Sequence, residues 1–384
     1  MLNSHKYDFI FFGAGCASLS LLTRMIRSGK FGDKSILLID REPKTRNDRT
    51  WCFWEQRPGF FEEIVYRKWE RISFRSEAFD SALHITPYVY KMIRGSDFYD
   101  YCFSAIKTQP NIEVVYATVN NWWVTHNGIE LVLDDKTYLL ESAIVFNSIY
   151  EPSISRNDIR LLQHFKGWVI ASPRPAFNPR EATMMDFRVH QRYGTTFTYV
   201  LPLSPTEALV EYTLFTKELL KPAQYDEELR SYISAYLGLT DYEVKEEEFG
   251  VIPMTNQRFH FSSRDKQATW QIGTAGGQTK ASSGYTFQFI QKQSEQIVNC
   301  LVAGRPLHSI PATPSRFRFY DNTLLHILYH DQLPGKKIFT DLFRKNDAGR
   351  VFRFLDNEST LADEVKIISS LPTWPFLKAA VNQI

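Results

Sequence analysis

The chain of 384 residues predicts an α/β fold in three parts: a Rossmann-like dinucleotide-binding domain, a sheet-rich domain inserted into it, and a helical C-terminal tail. Three observations support this prediction. A strand, a glycine-rich turn and a helix open the chain, β-type segments fill residues 161–262, and the tail from Phe317 is rich in Phe, Leu, Lys and Arg. We therefore expect the first domain at 1–160, its return at 263–310 and the tail region at 311–384.

The first 40 residues follow a strand–helix–strand pattern. Residues 7–12 are almost continuously apolar, as in a buried parallel strand. Apolar residues then recur at helical spacing over Cys16–Ser28, and Gly29 predicts the C-terminal end of this helix. Residues 35–39 predict a second strand, which Asp40 closes.

The pattern G-x-G-x-x-S stands at residues 13–18, between the first strand and the helix. The first glycine allows a tight turn, and the second lets the backbone approach a pyrophosphate. Unpaired amides at the start of the helix attract its negative charge. A carboxylate at the end of the second strand can accept hydrogen bonds from ribose hydroxyls. We therefore predict that a dinucleotide is held by Gly13, Ala14, Gly15, Cys16, Ala17 and Asp40.

The middle of the chain is rich in β-type segments. Residues 112–140 alternate in short runs, with turn signals at 127–128 and 134–135, which predicts an antiparallel meander within the first domain. A buried strand at 143–146 would rejoin the first sheet. In the inserted domain we expect a substrate-binding sheet with two strands and a helix at residues 195–201, 208–215 and 225–237.

A second glycine cluster follows at residues 273–277. It lies between a buried strand predicted for 270–273 and an amphipathic helix predicted for 285–303. The N-terminal pattern alone fits NAD as well as FAD. Large flavoproteins close the isoalloxazine and ribityl part of their site with such a late segment, so FAD is favoured. We expect this segment to contact the cofactor through Gly273, Gly276 and Gly277.

Composition excludes several other classes. The net charge of +2 and the lack of a basic stripe give no reason to expect a nucleic-acid partner. The histidines show no ligand spacing, so no metal is predicted. No window approaches the ~18 apolar residues that span a bilayer. We expect a cytoplasmic protein with reduced thiols, because no Cys-x-x-Cys pair occurs among Cys16, Cys52, Cys102 and Cys300.

Six sequence words occur in an order that resembles the lycopene cyclases of the bacterial and plant β-cyclase type. They are R-T-W-C-F at 49–53, M-D-F at 185–187, F-T-Y-V-L-P-L-S at 197–204, L-V-E-Y-T at 209–213, E-F-G-V-I-P at 248–253, and G-T-A-G-G at 273–277 with S-S-G-Y at 282–285. The resemblance implies a redox-neutral enzyme that closes the acyclic ends of lycopene into β-ionone rings, giving β-carotene. It also implies reduced FAD as cofactor, with NAD(P)H as the reductant that keeps the flavin reduced.

Ring closure of this kind needs an acid that protonates the terminal alkene. The resemblance points to Glu211 in the word at 209–213. Tyr212 stands where the plant sequences have a second acid, so only Glu211 can supply a carboxyl group there. An apolar pocket would raise its pKa and let it hold a proton near neutral pH. Asp186 is the second catalytic candidate, and Phe197, Tyr199 and Tyr212 are candidates for stabilising a cation.

Lycopene lives in the bilayer, so the resemblance also implies peripheral contact with a membrane surface. Residues 336–345 and 350–355 mix cations with large apolar groups, as interfacial helices do. An amphipathic helix packed on the body of the protein has the same pattern.

Two other functions stay open. One is a different flavin enzyme, a monooxygenase or a prenyl-chain reductase. Such enzymes commonly carry Asp after the glycine that Gly273 represents, and here Thr274 follows, which counts against them. The other is a nucleotide-binding redox sensor without catalysis. Neurosporene or a related polyene is an alternative substrate, and one or both of its ends could be cyclised.

Overall fold

The computed structural model describes residues 2, 6–126, 128–152, 158–263 and 266–381. Its strands, in chain order, are β1 (Lys6–Phe12), β2 (Ile36–Asp40), β3 (Thr50–Glu55), β4 (Arg67–Trp69), β5 (Arg71–Ser76), β6 (Phe79–His84), β7 (Val89–Arg94), β8 (Ile112–Tyr116), β9 (Val119–Thr125), β10 (Gly128–Leu133), β11 (Lys136–Asn147), β12 (Arg160–Ala171), β13 (Glu181–Asp186), β14 (Thr195–Pro202), β15 (Glu207–Thr216), β16 (Glu243–Thr255), β17 (Ser262–Ser263) and β18 (Lys266–Gln271). Its α-helices are α1 (Cys16–Ser28), α2 (Gly95–Lys107), α3 (Pro222–Leu237), α4 (Phe287–Val302), α5 (Ser315–Tyr329), α6 (Gly335–Lys345), α7 (Ala348–Leu355), α8 (Leu361–Ser370) and α9 (Thr373–Val381).

The first sheet has a parallel core in the order β18-β11-β1-β2-β8. The central strand β1 is buried on both faces because its side chains are almost all apolar, as parallel strands covered by helices require. Helix α1 connects β1 to β2 and packs against α4. The Rossmann-like fold predicted from the sequence is confirmed.

The antiparallel meander consists of β9, β10 and the first half of β11. The sequence placed its start at residue 112. In the structure β8, at Ile112–Tyr116, pairs with β2 in the parallel sheet instead. Of the two predicted turns, Asp134 and Asp135 adopt positive φ angles of 45° and 66°, a conformation that Asp tolerates better than most residues. The other turn includes residue 127, which lies outside the described residues.

The second sheet has seven strands in the order β16-β12-β15-β14-β13-β5-β6. All neighbours are antiparallel except β13 and β5. Helix α3 covers one face of this sheet. The sequence placed the sheet within residues 161–262, but β5 and β6 bring residues 71–84 into it.

A small sheet in the order β3-β7-β4 lies beside α4, and α6 packs on the second sheet at β5 and β14. The helical tail that the sequence predicted therefore forms part of the main core. None of the helices in the described ranges combines the length and apolar character needed to cross a membrane.

Candidate functional site

The glycine turn after β1 forms a cradle for a negatively charged group. Gly13 has a φ of +85°, and a Cβ there would lie 2.6 Å from the Ser148 Oγ atom, so only glycine fits. A Cβ on Gly15 would meet nothing within 4 Å, so this residue faces open space. In the described chain no side chain caps α1, which leaves its first amides available to phosphate oxygens. Burial raises the pKa of the Cys16 thiol to about 12, so the helix starts with a neutral group.

Asp40 lies beside this cradle at the end of β2, where the sequence predicted it. Its Oδ2 atom accepts a hydrogen bond from the Ala14 amide at 2.6 Å. Its Oδ1 atom accepts one from the Lys44 ammonium group at 2.9 Å. The carboxylate is therefore fixed next to the turn, at the position where a ribose is held in dinucleotide folds.

The late glycine segment contacts the same helix. Gly273 has a φ of +61°, and a Cβ there would lie only 2.6 Å from the Cβ atom of Ala17. A Cβ on Gly276 would lie 2.3 Å from the Gln271 carbonyl oxygen, and Gly277 has a φ of +74°. Side chains would prevent this close approach. The two glycine segments predicted to bind the cofactor thus meet around the start of α1, and their geometry fits a dinucleotide.

Two glutamates meet on the second sheet across a strand that lies between them. On β12, Gly167 is opposite both Glu211 of β15 and Glu248 of β16. Strands two apart are separated by about 9.5 Å, a gap that two glutamate side chains span only if the middle residue is small. A Cβ on Gly167 would lie 3.0 Å from the Glu248 Cγ atom. The missing side chain allows the two carboxyl groups, here called the carboxyl pair, to hydrogen-bond to each other.

The two members of the carboxyl pair both have raised pKa values, but their hydrogen-bond partners differ. Burial and the neighbouring Glu248 charge raise the pKa of Glu211 well above its ordinary value. Burial also raises the pKa of Glu248, but hydrogen bonds from Glu211 and Thr50 favour its charged form. The Thr50 hydroxyl donates to Glu248 Oε2 at 2.7 Å, and the Thr213 hydroxyl donates to Glu211 Oε1 at 2.9 Å. The two buried carboxyl groups therefore favour holding one proton between them.

The chain that follows the late glycine segment passes close to the carboxyl pair. Gly284 lies against β12, since a Cβ there would be 2.0 Å from the Gln163 Oε1 atom. The next residue, Tyr285, lies beside Tyr199, and Tyr199 is opposite Glu211 in the sheet. Glu211 is enclosed by protein but keeps some accessible surface, so it faces a space and is not packed tightly into the core.

Aromatic side chains surround the carboxyl pair, and we call them the aromatic wall. Burial raises the pKa of the Tyr90, Tyr199 and Tyr285 phenols, so all three are neutral. Trp54 meets Tyr285 edge-on at 4.7 Å between ring centroids. Phe197 contacts Tyr199 edge-on at 5.2 Å on the same strand. The acid thus sits among apolar and uncharged groups that present ring faces and edges, as a site for a cationic intermediate would require.

Asp186 lies apart from the carboxyl pair. It is fully buried and forms a bidentate ion pair with Arg188, at 2.6 Å between Arg188 Nη2 and Asp186 Oδ2, and the Tyr232 hydroxyl donates to it at 2.7 Å. In the sheet it is opposite Thr198, on the face that α3 covers, together with Tyr212. The sequence placed Asp186 and Tyr212 in the reaction site. The structure puts both on the opposite face of the sheet, which argues against those roles.

The sequence interpretation missed Glu248, Gly167 and Thr50. Glu248 is the first residue of the E-F-G-V-I-P motif, and Thr50 belongs to the R-T-W-C-F motif. Both motifs were recognised in the sequence, but neither residue was given a role. A glycine inside the apolar strand β12 was a signal of close approach by another group. Within the described residues, no group of three His, Cys, Asp or Glu side chains is arranged to hold a metal ion.

Comparison with known proteins is consistent with this geometry. The family model described as lycopene cyclase protein matches residues 8–381. The lycopene beta-cyclase of Pantoea ananas is 23% identical and covers 97% of both chains. That of Paracoccus sp. (strain N81106 / MBIC 01143) is also 23% identical, over 56% of this chain and 57% of that protein.

Solved structures share the fold at low identity. A geranylgeranyl bacteriochlorophyll reductase-like protein from Thermoplasma acidophilum has a TM-score of 0.60 at 11% identity, covering 99% of this chain and 98% of that one. A flavoprotein/dehydrogenase from Cytophaga hutchinsonii has a TM-score of 0.61 at 10% identity, covering 98% and 99%. The flavin-dependent brominase Bmp2 has a TM-score of 0.61 at 14% identity, covering 94% and 97%. The shared architecture is that of flavoproteins.

Proposed function

The chain belongs to the lycopene cyclase family, and from that premise we propose that it closes the acyclic ends of lycopene into β-ionone rings by redox-neutral acid–base catalysis, giving β-carotene. One observation carries the proposal. A glutamic acid with a raised pKa lies against a second carboxylate within an aromatic wall, and the late glycine segment leads to it.

We propose that FAD binds in the cradle between the two glycine segments. Gly13, Gly15 and the start of α1 would hold the pyrophosphate, Asp40 the ribose, and Gly273 would allow the late segment to approach. A reduced flavin bound there would supply negative charge that stabilises a carbocation without net electron transfer, and NAD(P)H would serve to keep the cofactor reduced. The supporting observation is that side chains at the glycine positions would fill the cradle or collide with its walls.

The carboxyl pair can perform the two proton transfers of ring closure. Glu211 donates its proton to the terminal alkene, which leaves a tertiary cation on the chain. An internal alkene attacks that cation and forms the ring, and a proton leaves the carbon next to the new cationic centre. The carboxyl pair accepts this proton, so the enzyme returns to its starting state with no net change in protons or electrons. The ring face of Tyr199 would contribute about 0.5–2 kcal/mol of cation–π stabilisation.

A lipophilic substrate makes peripheral membrane contact part of the proposed function, with the protein in the cytoplasm. The two segments expected to make this contact do not present apolar surfaces. In residues 336–345 and 350–355 all the large apolar side chains except the half-buried Phe354 are buried in the core, namely Ile338, Phe339, Leu342, Phe343, Val351, Phe352 and Leu355. Their amphipathic pattern reflects packing on the protein body, so contact with a bilayer requires a different surface.

Replacing the acid tests the proposal. Glu211→Gln removes the proton but keeps the shape of the side chain, so the variant should retain bound flavin and lose cyclisation by a factor of about 10² to 10⁴. Glu207→Gln, on the same strand but outside the carboxyl pair, is the matched control. The measurement is chromatography of pigments from cells that accumulate lycopene. Unchanged lycopene in cells with folded, flavin-loaded wild-type protein would refute the function, and β-carotene from Glu211→Gln would refute the role of Glu211.

A further inference from the structure

The last two helices of the described chain leave apolar side chains uncovered. In α8 these side chains recur at positions i, i+4 and i+7, and in α9 at i, i+3 and i+7, so each helix carries one apolar row. The side chains are between 44% and 78% exposed, with Trp374 the most exposed, and we call them the α8–α9 face: Leu361, Val365, Ile368, Trp374, Leu377 and Val381.

The α8–α9 face is held outward by contacts on its inner side. Ile367 of α8 and Ala379 of α9 are completely buried. Asp363 pairs with Arg353 of α7 at 3.0 Å, and the buried carboxylate of Glu364 pairs with Arg316 of α5, also at 3.0 Å. Both helices are therefore fixed with the rows turned to the outside. Fixed, exposed apolar rows of this size are typical of a surface that contacts a partner.

The charges on these helices indicate what kind of partner fits. The only acidic residues in 361–381 are Asp363 and Glu364, and both are turned toward arginines of the protein body. Lys366 and Lys378 are exposed. The exposed side chains of these two helices thus include two apolar rows, two lysines and a tryptophan. This is the combination that binds the interface of an anionic bilayer, where Trp lies at headgroup level and lysines meet phosphates.

The location of the face is consistent with delivery of a substrate from the bilayer. Helix α8 packs on α7, and Phe352 of α7 stacks on Trp54 at 4.4 Å with the rings nearly parallel. Trp54 belongs to the aromatic wall beside the carboxyl pair. Helix α7 thus lies between α8 and the aromatic wall.

We propose that the α8–α9 face is the surface that docks this protein on an anionic lipid bilayer. Its biological purpose rests on the proposed function, because a polyene dissolved in the membrane must reach the carboxyl pair. The docking itself does not depend on catalysis. A second copy of this chain is the competing occupant of an exposed apolar face, and the charge pattern favours the lipid surface because lysines on two like faces would repel each other.

Vesicle binding tests the proposal directly. Purified flavin-loaded protein is sedimented with vesicles of phosphatidylcholine, with and without phosphatidylglycerol, at low and high salt. We expect binding to the anionic vesicles that weakens with salt. The variant Val365→Ser/Leu377→Ser should bind at least tenfold more weakly. The matched control is Leu139→Ser/Leu219→Ser, which removes two apolar side chains that are each 47% exposed elsewhere, and it should bind like the wild type.

Two further measurements separate the alternatives. Brominated lipids should quench part of the tryptophan fluorescence, and Trp374→Phe should abolish that part. Absence of vesicle binding, equal losses in both double variants, or quenching that persists in Trp374→Phe would overturn the proposal. A dimer that Val365→Ser/Leu377→Ser dissociates, without vesicle binding, would assign the face to a second copy. Cyclisation of detergent-dispersed lycopene is assayed in parallel, so a failure of the proposed function is recognised separately from a failure of docking.

Discussion

Replacing Gly167 by alanine should separate the two carboxyl groups while leaving both glutamates in the sequence. The added Cβ would lie 2.9 Å from the Leu209 Cδ1 atom and 3.0 Å from the Glu248 Cγ atom, whereas ordinary contacts begin at 3.4 Å. Each neighbour must therefore withdraw by about 0.4–0.5 Å. Glu248 extends from its strand toward Glu211, so its withdrawal lengthens the hydrogen bond between the carboxyl groups.

The size of the effect follows from this displacement. A hydrogen bond between two oxygens is normally about 2.5–3.0 Å long, and adding about 0.4 Å weakens it strongly. A hydrogen bond to a charged group contributes about 1.5–3 kcal/mol. Loss of this contribution from the transition state corresponds to a decrease of about 10- to 150-fold in kcat/KM. Overpacking should also lower the free energy of unfolding by about 1–3 kcal/mol.

The assay is the conversion of lycopene by purified, flavin-loaded protein, together with thermal unfolding. Gly32→Ala is the matched control, because a Cβ at Gly32 would meet nothing within 4 Å. A double-mutant cycle isolates the cause. Glu248→Ala removes the Glu248 atoms that the new methyl group approaches and leaves only the contact with Leu209 Cδ1, so adding Gly167→Ala to that variant should cost little further activity. An equal loss in both backgrounds, or none in the single variant, would refute the reasoning.

Three further predictions concern the carboxyl pair, the opposite face and the cradle. Glu248→Gln removes the negative charge that helps raise the pKa of Glu211, so the acid should ionise earlier and the loss of kcat/KM at high pH should begin about 1–2 pH units lower. An unchanged pH profile would contradict the coupling. Asp186→Asn breaks a buried ion pair and should cost about 3 kcal/mol in the free energy of unfolding while leaving the pH profile of cyclisation in place. A shifted pH profile in this variant would indicate that Asp186 takes part in the reaction. Gly273→Ala forces a Cβ against Ala17 at a positive φ, so the purified protein should lose flavin absorbance while remaining folded.

Local patterns predicted the nucleotide-binding unit well. The strand, turn, helix and strand over residues 6–40 are consecutive in the chain, and each is specified by its own periodicity and glycines. The family resemblance was confirmed by the match over residues 8–381. Glu211, which the sequence singled out, lies beside Glu248 with a raised pKa, and its catalytic role stays a prediction.

The remaining site depends on pairing between distant strands. Whether Asp186 shares a face with Glu211 is decided by the register across β13, β14 and β15, and a change of one residue reverses the answer. Glu248 can reach Glu211 only because Gly167, which lies between them in the sheet, has no side chain. No single sequence motif contains this relation. The prediction that residues 336–345 and 350–355 contact a membrane failed for a different reason. An amphipathic helix has the same sequence pattern whether it packs on a protein core or lies on a bilayer.

The parallel pairing of β5 with β13 determines how this molecule folds and how it can be divided. Arg71 is paired with Glu181, so closing this contact requires a long excursion of the chain that includes strands β8 to β11 of the first sheet. The two sheets therefore gain their stability together, and we expect a single slow cooperative folding transition. A fragment that ends at residue 160 would carry β5 and β6 without their neighbour and expose an unpaired edge prone to aggregation. Truncation at the apparent domain boundary is consequently a poor way to produce the nucleotide-binding part alone.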